Sequence, residues 1–414
     1  MDFLLVARRC AARLVRLAAL GGSCAAALAL VACGPVGSGG TGAPAGAAAA
    51  SFAQGPINGF GSILVNGVHY DDTTALVVDD DGRVLSAQAD LHLGSVVEVQ
   101  GEGAPTDVIA AALIRVHTDL VGPVTTTYDP LTRWMRVLGQ PVAVDPATTF
   151  VDGIEGGLER LAPGAVVEVA SVYEPVAGIY RATRIAPRPD AAAYAIRGAV
   201  TALGAGSLEI GGQSFDYGSL AIPADFQIGQ LVRLTLATEP TALGHWTVTA
   251  IASGATPPPD HSMGDLRGAV GKVLDARHAF VGGVLVDASA ARFVPVDRAL
   301  VSGGLVEVHG TMTGAVLMAS RVDFPVPGRL TLGGATGEAS RYATEFEIDG
   351  PILSSVDAVK HTFEMRGPTA VDYSTAQFLA GSAADLARGR QVVVQGAPSA
   401  DGTRLMATAI RILQ

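Results

Sequence analysis

Gly94-Ser95-Val96-Val97-Glu98-Val99 and Gly164-Ala165-Val166-Val167-Glu168-Val169 are nearly one phrase, written twice. It recurs with substitutions as Gly229-Gln230-Leu231-Val232-Arg233-Leu234, Gly303-Gly304-Leu305-Val306-Glu307-Val308 and Gly389-Arg390-Gln391-Val392-Val393-Val394. The chain therefore copies itself at a period of roughly 65 to 85 residues, and that repeat decides the fold. Glycine at the head of the phrase suits a turn, because it takes positive φ without a Cβ clash. The residues after it alternate as a strand does, so the charged residue between apolar ones points to the opposite face.

Two further markers flank the phrase. Each copy opens on a glycine and a short strand: Gly59-Phe60-Gly61-Ser62-Ile63, Gly122-Pro123-Val124, Gly198-Ala199-Val200, Gly268-Ala269-Val270 and Gly350-Pro351-Ile352. Each closes on a strand mixing small, aliphatic and basic residues, as in Ala112-Leu113-Ile114-Arg115-Val116 and Ala409-Ile410-Arg411-Ile412. Between them lies a hairpin signal, clearest at Asn66-Gly67, with Gly211-Gly212 and Gly282-Gly283 in the same place later. Short strands without a helical period predict an all-β chain of about five tandem closed barrels, OB-like in type. The expected modules are 55–117, 118–188, 194–254, 264–325 and 328–414, the last with a lead-in at 328–345 that fits no copy. Proline-rich links at Pro187-Arg188-Pro189 and Pro257-Pro258-Pro259 predict a semi-rigid string of such modules.

The first copy carries Gly61-Ser62-Ile63, then Val65-Asn66-Gly67-Val68-His69-Tyr70-Asp71, then Leu91 to Gly101 around the repeated phrase, then Ala111 to Val116. This succession resembles the bacterial domain-of-unknown-function 5666 (DUF5666) family, most closely in the first copy and most loosely in the second and third. The resemblance implies a β-barrel module of exported proteins and carries no catalytic residue across.

The start of the chain gives an address. Arg8, Arg9, Arg13 and Arg16 precede an apolar run over residues 17–31 that ends in Leu30-Val31-Ala32-Cys33. This resembles a bacterial lipoprotein signal, with cleavage between Ala32 and Cys33 and a lipid on the Cys33 sulfur. A transmembrane helix needs about 20 apolar residues, and this run is shorter and lacks a basic stop-transfer cluster. Cys10 and Cys24 would leave with the signal, so no disulfide is expected in the mature chain. Gly34 in place of an aspartate favours the outer membrane by the same resemblance. Residues 33–54 are expected to be a flexible linker, poor in large apolar side chains.

Loss of residues 1–32 removes four arginines and one aspartate, taking the formal charge from −11 to −14. Such an acidic surface disfavours nucleic acid and anionic headgroups. Aromatics are only 5%, against the aromatic girdles of a transmembrane barrel. The expected partners are thus the membrane, through the lipid, and an envelope protein or glycan.

Chemistry is sparse in the sequence. Asp79-Asp80-Asp81-Gly82 lacks the spacing of a calcium loop and reads as a solvated hairpin tip. The eight histidines show no paired metal-ligand spacing and read as surface residues. The recurring polar position is an aspartate after the second strand of each copy: Asp71, Asp145, Asp216, Asp287 and Asp372. It is either a ligand contact repeated once per barrel or a carboxylate that accepts backbone N–H groups in the next turn. There is no Gly-x-Ser-x-Gly elbow and no phosphate loop, so neither a catalytic residue nor a cofactor is implied. The expectation is a non-enzymatic binding or spacing module. The alternative is an envelope hydrolase or metal-dependent enzyme with its site in one barrel or at a junction.

Overall fold

The computed structural model describes residues 50–414, apart from 104–107, 223–225, 243, 256–259, 261, 325–329, 333–340, 344–345 and 414. The expected signal, with Ala32 and Cys33, and the Pro257-Pro258-Pro259 link lie outside the described residues.

The first barrel shows the plan. Its strands are β1 (Ala50–Phe60), β2 (Ile63–Val65), β3 (Val68–Asp71), β4 (Leu76–Asp79), β5 (Val96–Glu102) and β6 (Ile109–His117). β1 pairs antiparallel with β2 and β5, β2 with β3, and β5 with β6. β3 and β4 together form one broken strand parallel to β6, which closes the ring. This is the strand order of an OB-type barrel. At the hairpin Asn66 and Gly67 take φ of 51° and 79°, the two positive angles that a tight two-residue turn requires.

The same circuit recurs from Leu120–Asp129 to Ile179–Pro187, from Tyr194–Leu203 to Trp246–Ser253, and from Met263–Val273 to Val316–Asp323. In the fifth barrel, Phe346–Pro351 to Leu405–Ile412, the Leu353 N–H donates to the Glu364 carbonyl at 2.8 Å, where the ladder is otherwise interrupted. Residues within 328–345 add a hairpin, Leu330–Leu332 against Arg341–Ala343. No helix among the described residues is long and apolar enough to cross a membrane.

The repeated glycine closes each ring. Gly94, Gly164, Gly229, Gly303 and Gly389 have φ of 78°, 85°, 89°, 83° and 85°. Each donates its N–H to the first strand, at Ile57, Val124, Val200, Val270 and Ile352, over 2.7 to 2.9 Å. Those five residues in turn donate to the carbonyl just after the glycine. A turn signal in the sequence is thus a structural latch.

The string of modules is corrected. Residues 46–414 form one compact unit, because the first strands of different barrels pair with each other. β1 runs parallel to Met263–Val273 from Ser51 opposite Met263 to Gln54 opposite Leu266. Its far end runs parallel to Phe346–Pro351, where a Cβ on Gly59 would lie 2.3 Å from the Glu347 carbonyl oxygen. Leu120–Asp129 likewise pairs with Tyr194–Leu203. An exposed strand edge is unsatisfied backbone, and pairing between barrels satisfies it. The linker expected to reach residue 54 is therefore strand from Ala50 onward, with Phe52 only 2% exposed.

The apolar cores follow these unions. One cluster joins the first and fifth barrels and includes Phe60, Tyr70, Phe346 and Phe363. A second joins the second and third barrels, and the fourth barrel keeps its own.

Candidate functional site

Outward-facing charges become buried wherever barrels meet, and the densest such seam lies at the end of β4. Asp80 Oδ1 accepts from His117 Nδ1 at 2.7 Å and from Arg197 Nη2 at 2.5 Å, and Oδ2 accepts the Thr118 N–H at 3.0 Å. Arg233 lies 3.7 Å from Asp80 and pairs with Asp81 at 2.7 Å. Arg197 also donates to the Gly254 carbonyl and lies 3.5 Å from Asp119, whose Oδ2 accepts from Ser171 Oγ at 2.5 Å. Burial pushes the Asp80 carboxyl up, but Arg197 and His117 outweigh it and hold it well below the usual carboxylate range. Burial dominates at Asp119 and raises it. The solvated hairpin tip is thus corrected for Asp80, whose side chain is 7% exposed. His117, at 4%, is a buried histidine and no surface one.

This seam opens on a cavity of about 590 Å³ where four barrels meet. His117, Asp119, Ser171 and Arg197 contribute to its lining, with Arg267 and Lys272 from the fourth barrel. Val96, Val172, Ile228, Leu231, Phe280 and Leu285 supply apolar wall.

A second charged plate covers the outside of the fourth barrel. Arg267 stands opposite Glu307 in the strand register, and Asp265 opposite His309. His309 Nδ1 is hydrogen-bonded to Asp265, and its Nε2 lies 3.4 Å from Asp323. Glu307 is fully buried, and neither carboxylate oxygen has a hydrogen-bond partner. Burial therefore pushes its carboxyl to about 7 against the pull of Arg267 and His309. His309 is raised to about 10, since hydrogen bonds to Asp265 and Asp323 outweigh the cost of burial.

The repeated aspartates stay in their own barrels. Asp71, Asp145, Asp287 and Asp372 each accept, through Oδ1, the N–H two residues on, at 3.0, 3.0, 2.8 and 2.9 Å. Asp216 instead faces His245 Nδ1 at 3.3 Å. This geometry is that of a turn carboxylate. The tyrosines beside three of them serve the barrels too: Tyr70 is fully buried, Tyr373 nearly so, and Tyr217 donates to the Gly204 carbonyl at 2.9 Å. No group of three or more His, Cys, Asp or Glu side chains is placed to hold a metal among the described residues.

The five-strand circuit, the glycine latch and the turn carboxylate describe a barrel module rather than a reaction centre. Residues 121–186 and 349–411 match the family described as Domain of unknown function (DUF5666). The chain carries two DUF5666 domains. They are the second and fifth barrels, whereas the sequence reading placed the closest likeness in the first. No curated protein matches the chain. Between the two DUF5666 domains lie the third and fourth barrels, which supply Arg197 and Arg267 to the cavity.

Sequence reasoning missed these arginines, although a signal was present. Arg197-Gly198-Ala199-Val200 and Arg267-Gly268-Ala269-Val270 are the same four residues, each opening a barrel. An arginine kept in the middle of an apolar strand marks an outer face that something else must cover.

Proposed function

We propose that this protein is an exported, non-enzymatic component of the cell envelope, tethered to the outer membrane by a lipid on Cys33, whose barrels form a binding body. The cavity of about 590 Å³ between four barrels carries the binding reading, because ligand sites of that size favour junctions between modules. The signal-like Leu30-Val31-Ala32-Cys33 supports the tether.

Ser171, His117 and Asp119 share the cavity lining, the residue types of a hydrolytic triad. Their bonding favours binding over hydrolysis. The Ser171 hydroxyl donates directly to Asp119, and His117 Nδ1 is engaged with Asp80. A nucleophile needs its base within hydrogen-bond reach, and Ser171 is instead bonded to a carboxylate. The formal charge of −14 after loss of the signal favours a glycan, a protein or a small molecule over nucleic acid.

The reading is tested in cells. The full-length protein should fractionate with the outer membrane, and Cys33→Ser should move to the soluble exported fraction. Crosslinking should then enrich a defined envelope component over a matched control. Persistent membrane attachment of Cys33→Ser removes the tether, and an empty crosslink removes a macromolecular ligand.

A further inference from the structure

Two arginines that the repeat places equivalently end in one cavity, with different surroundings. Arg197 is already engaged by Asp80, Asp119 and the Gly254 carbonyl. Among the described residues Arg267 has only Glu307 set against it, across the strand register, and its Nη1 is buried without a hydrogen-bond partner. Burial lifts the Glu307 carboxyl to about 7, so near neutral pH the charge of Arg267 is only partly cancelled.

The lining reverses the sign of the molecule. The chain has 39 acidic and 28 basic residues, yet the cavity wall holds Arg197, Arg267 and Lys272 against the single carboxylate of Asp119. An under-neutralised guanidinium beside aliphatic wall is a site for an anion that brings its own apolar surface.

We propose that this cavity binds a small amphipathic organic anion, a carboxylate of fatty-acid size, with its head on Arg267 and Lys272 and its body against the apolar wall. This rests on the binding reading above and names the ligand class. Lys272 is exposed, whereas Arg267 is partly buried, so the head enters past the first to reach the second.

The test uses the full chain as Cys33→Ser, which needs no detergent. Dodecanoate, held below its micelle concentration, is titrated calorimetrically against the protein. The expected result is saturable one-to-one binding that dodecyltrimethylammonium, the same chain with a cationic head, does not give. Arg267→Met should weaken binding about tenfold or more, and Arg267→Lys should restore part of it. Because Arg267→Met also strands Glu307, two further variants guard against misfolding. Lys272→Met changes an exposed side chain and should weaken binding less. Gly271→Val should block it, since a Cβ there meets only ordinary contacts with Phe280 and Pro175, both on the cavity wall. Equal binding of the cation, no binding of dodecanoate, or indifference to all the variants overturns the proposal. If dodecanoate fails while crosslinking captures an envelope component, this inference falls and the binding reading stands.

Discussion

Arg197 Nη2 lies 2.5 Å from Asp80 Oδ1, a bond that ties the third barrel to the first across 117 residues of sequence. Both side chains are under 10% exposed. The attraction between two buried ions barely offsets their desolvation, so the pair is best understood as a fastener with one permitted register. Breaking it from one side is another matter, because the remaining charge stays buried and unpaired. Asp80→Asn or Arg197→Met alone should each cost about 3–5 kcal/mol. The double variant should cost clearly less than the sum. Urea unfolding of the four proteins measures this; additive costs would mean that the two residues do not act as a pair.

Glu307 sets a pH dependence of opposite sign to the usual carboxylate. Its folded value is raised from 4.5 to about 7, so folding favours the protonated form. That stability is present below about 4.5 and lost as pH rises through 7. His309, raised from 6.5 to about 10, adds a loss of the same sign that begins above about 6.5 and runs on through 10, in the wild type and in a Glu307 variant alike. Glu307→Gln keeps the shape and removes the ionisation. It should match the wild type at pH 4.5 and exceed it by about 2–3 kcal/mol at pH 8. Denaturant midpoints at the two pH values decide it, and equal differences at both would show that folding leaves the Glu307 ionisation unshifted.

What was legible in the chain was everything local to one barrel. Gly94 and its four equivalents announced the latch, Asn66-Gly67 the hairpin, and Asp71 and its equivalents the turn at the end of the third strand. Each of these signals is written within a few residues of its effect. The seam was not legible, because Asp80 and Arg197 meet only when two closed barrels dock. Period-two alternation says that Glu98 and Val393 both face outward, and they do. It does not say that Glu98 is 2% exposed under its neighbours while Val393 is only half-buried. Strand pairing between barrels escaped for the same reason: Ser51 to Gln54 read as linker because their partners, Met263 to Leu266, lie some 200 residues away. The charge inside an apolar strand was the missed clue. In a free barrel it would be an ordinary solvated face.

The latch glycines offer a test in which local backbone and docking can be separated. Gly389 and Gly94 share a conformation, with φ of 85° and 78°, and make the same hydrogen bond to the first strand of their own barrel. Their surroundings differ. A Cβ on Gly389 would meet nothing within 4 Å, whereas one on Gly94 would lie 2.2 Å from the Thr183 carbonyl oxygen of the second barrel. Gly389→Ala should therefore cost only the strain of an L-residue at positive φ, about 1–2 kcal/mol. Gly94→Ala adds a backbone collision that no rotamer relieves, so the first and second barrels must separate locally, and the cost should be at least about twice as large. Hydrogen exchange should show extra opening in Ile179–Pro187, which contains Thr183, for Gly94→Ala alone. Equal costs and equal exchange in the two variants would mean that the first barrel does not press on the second at this turn.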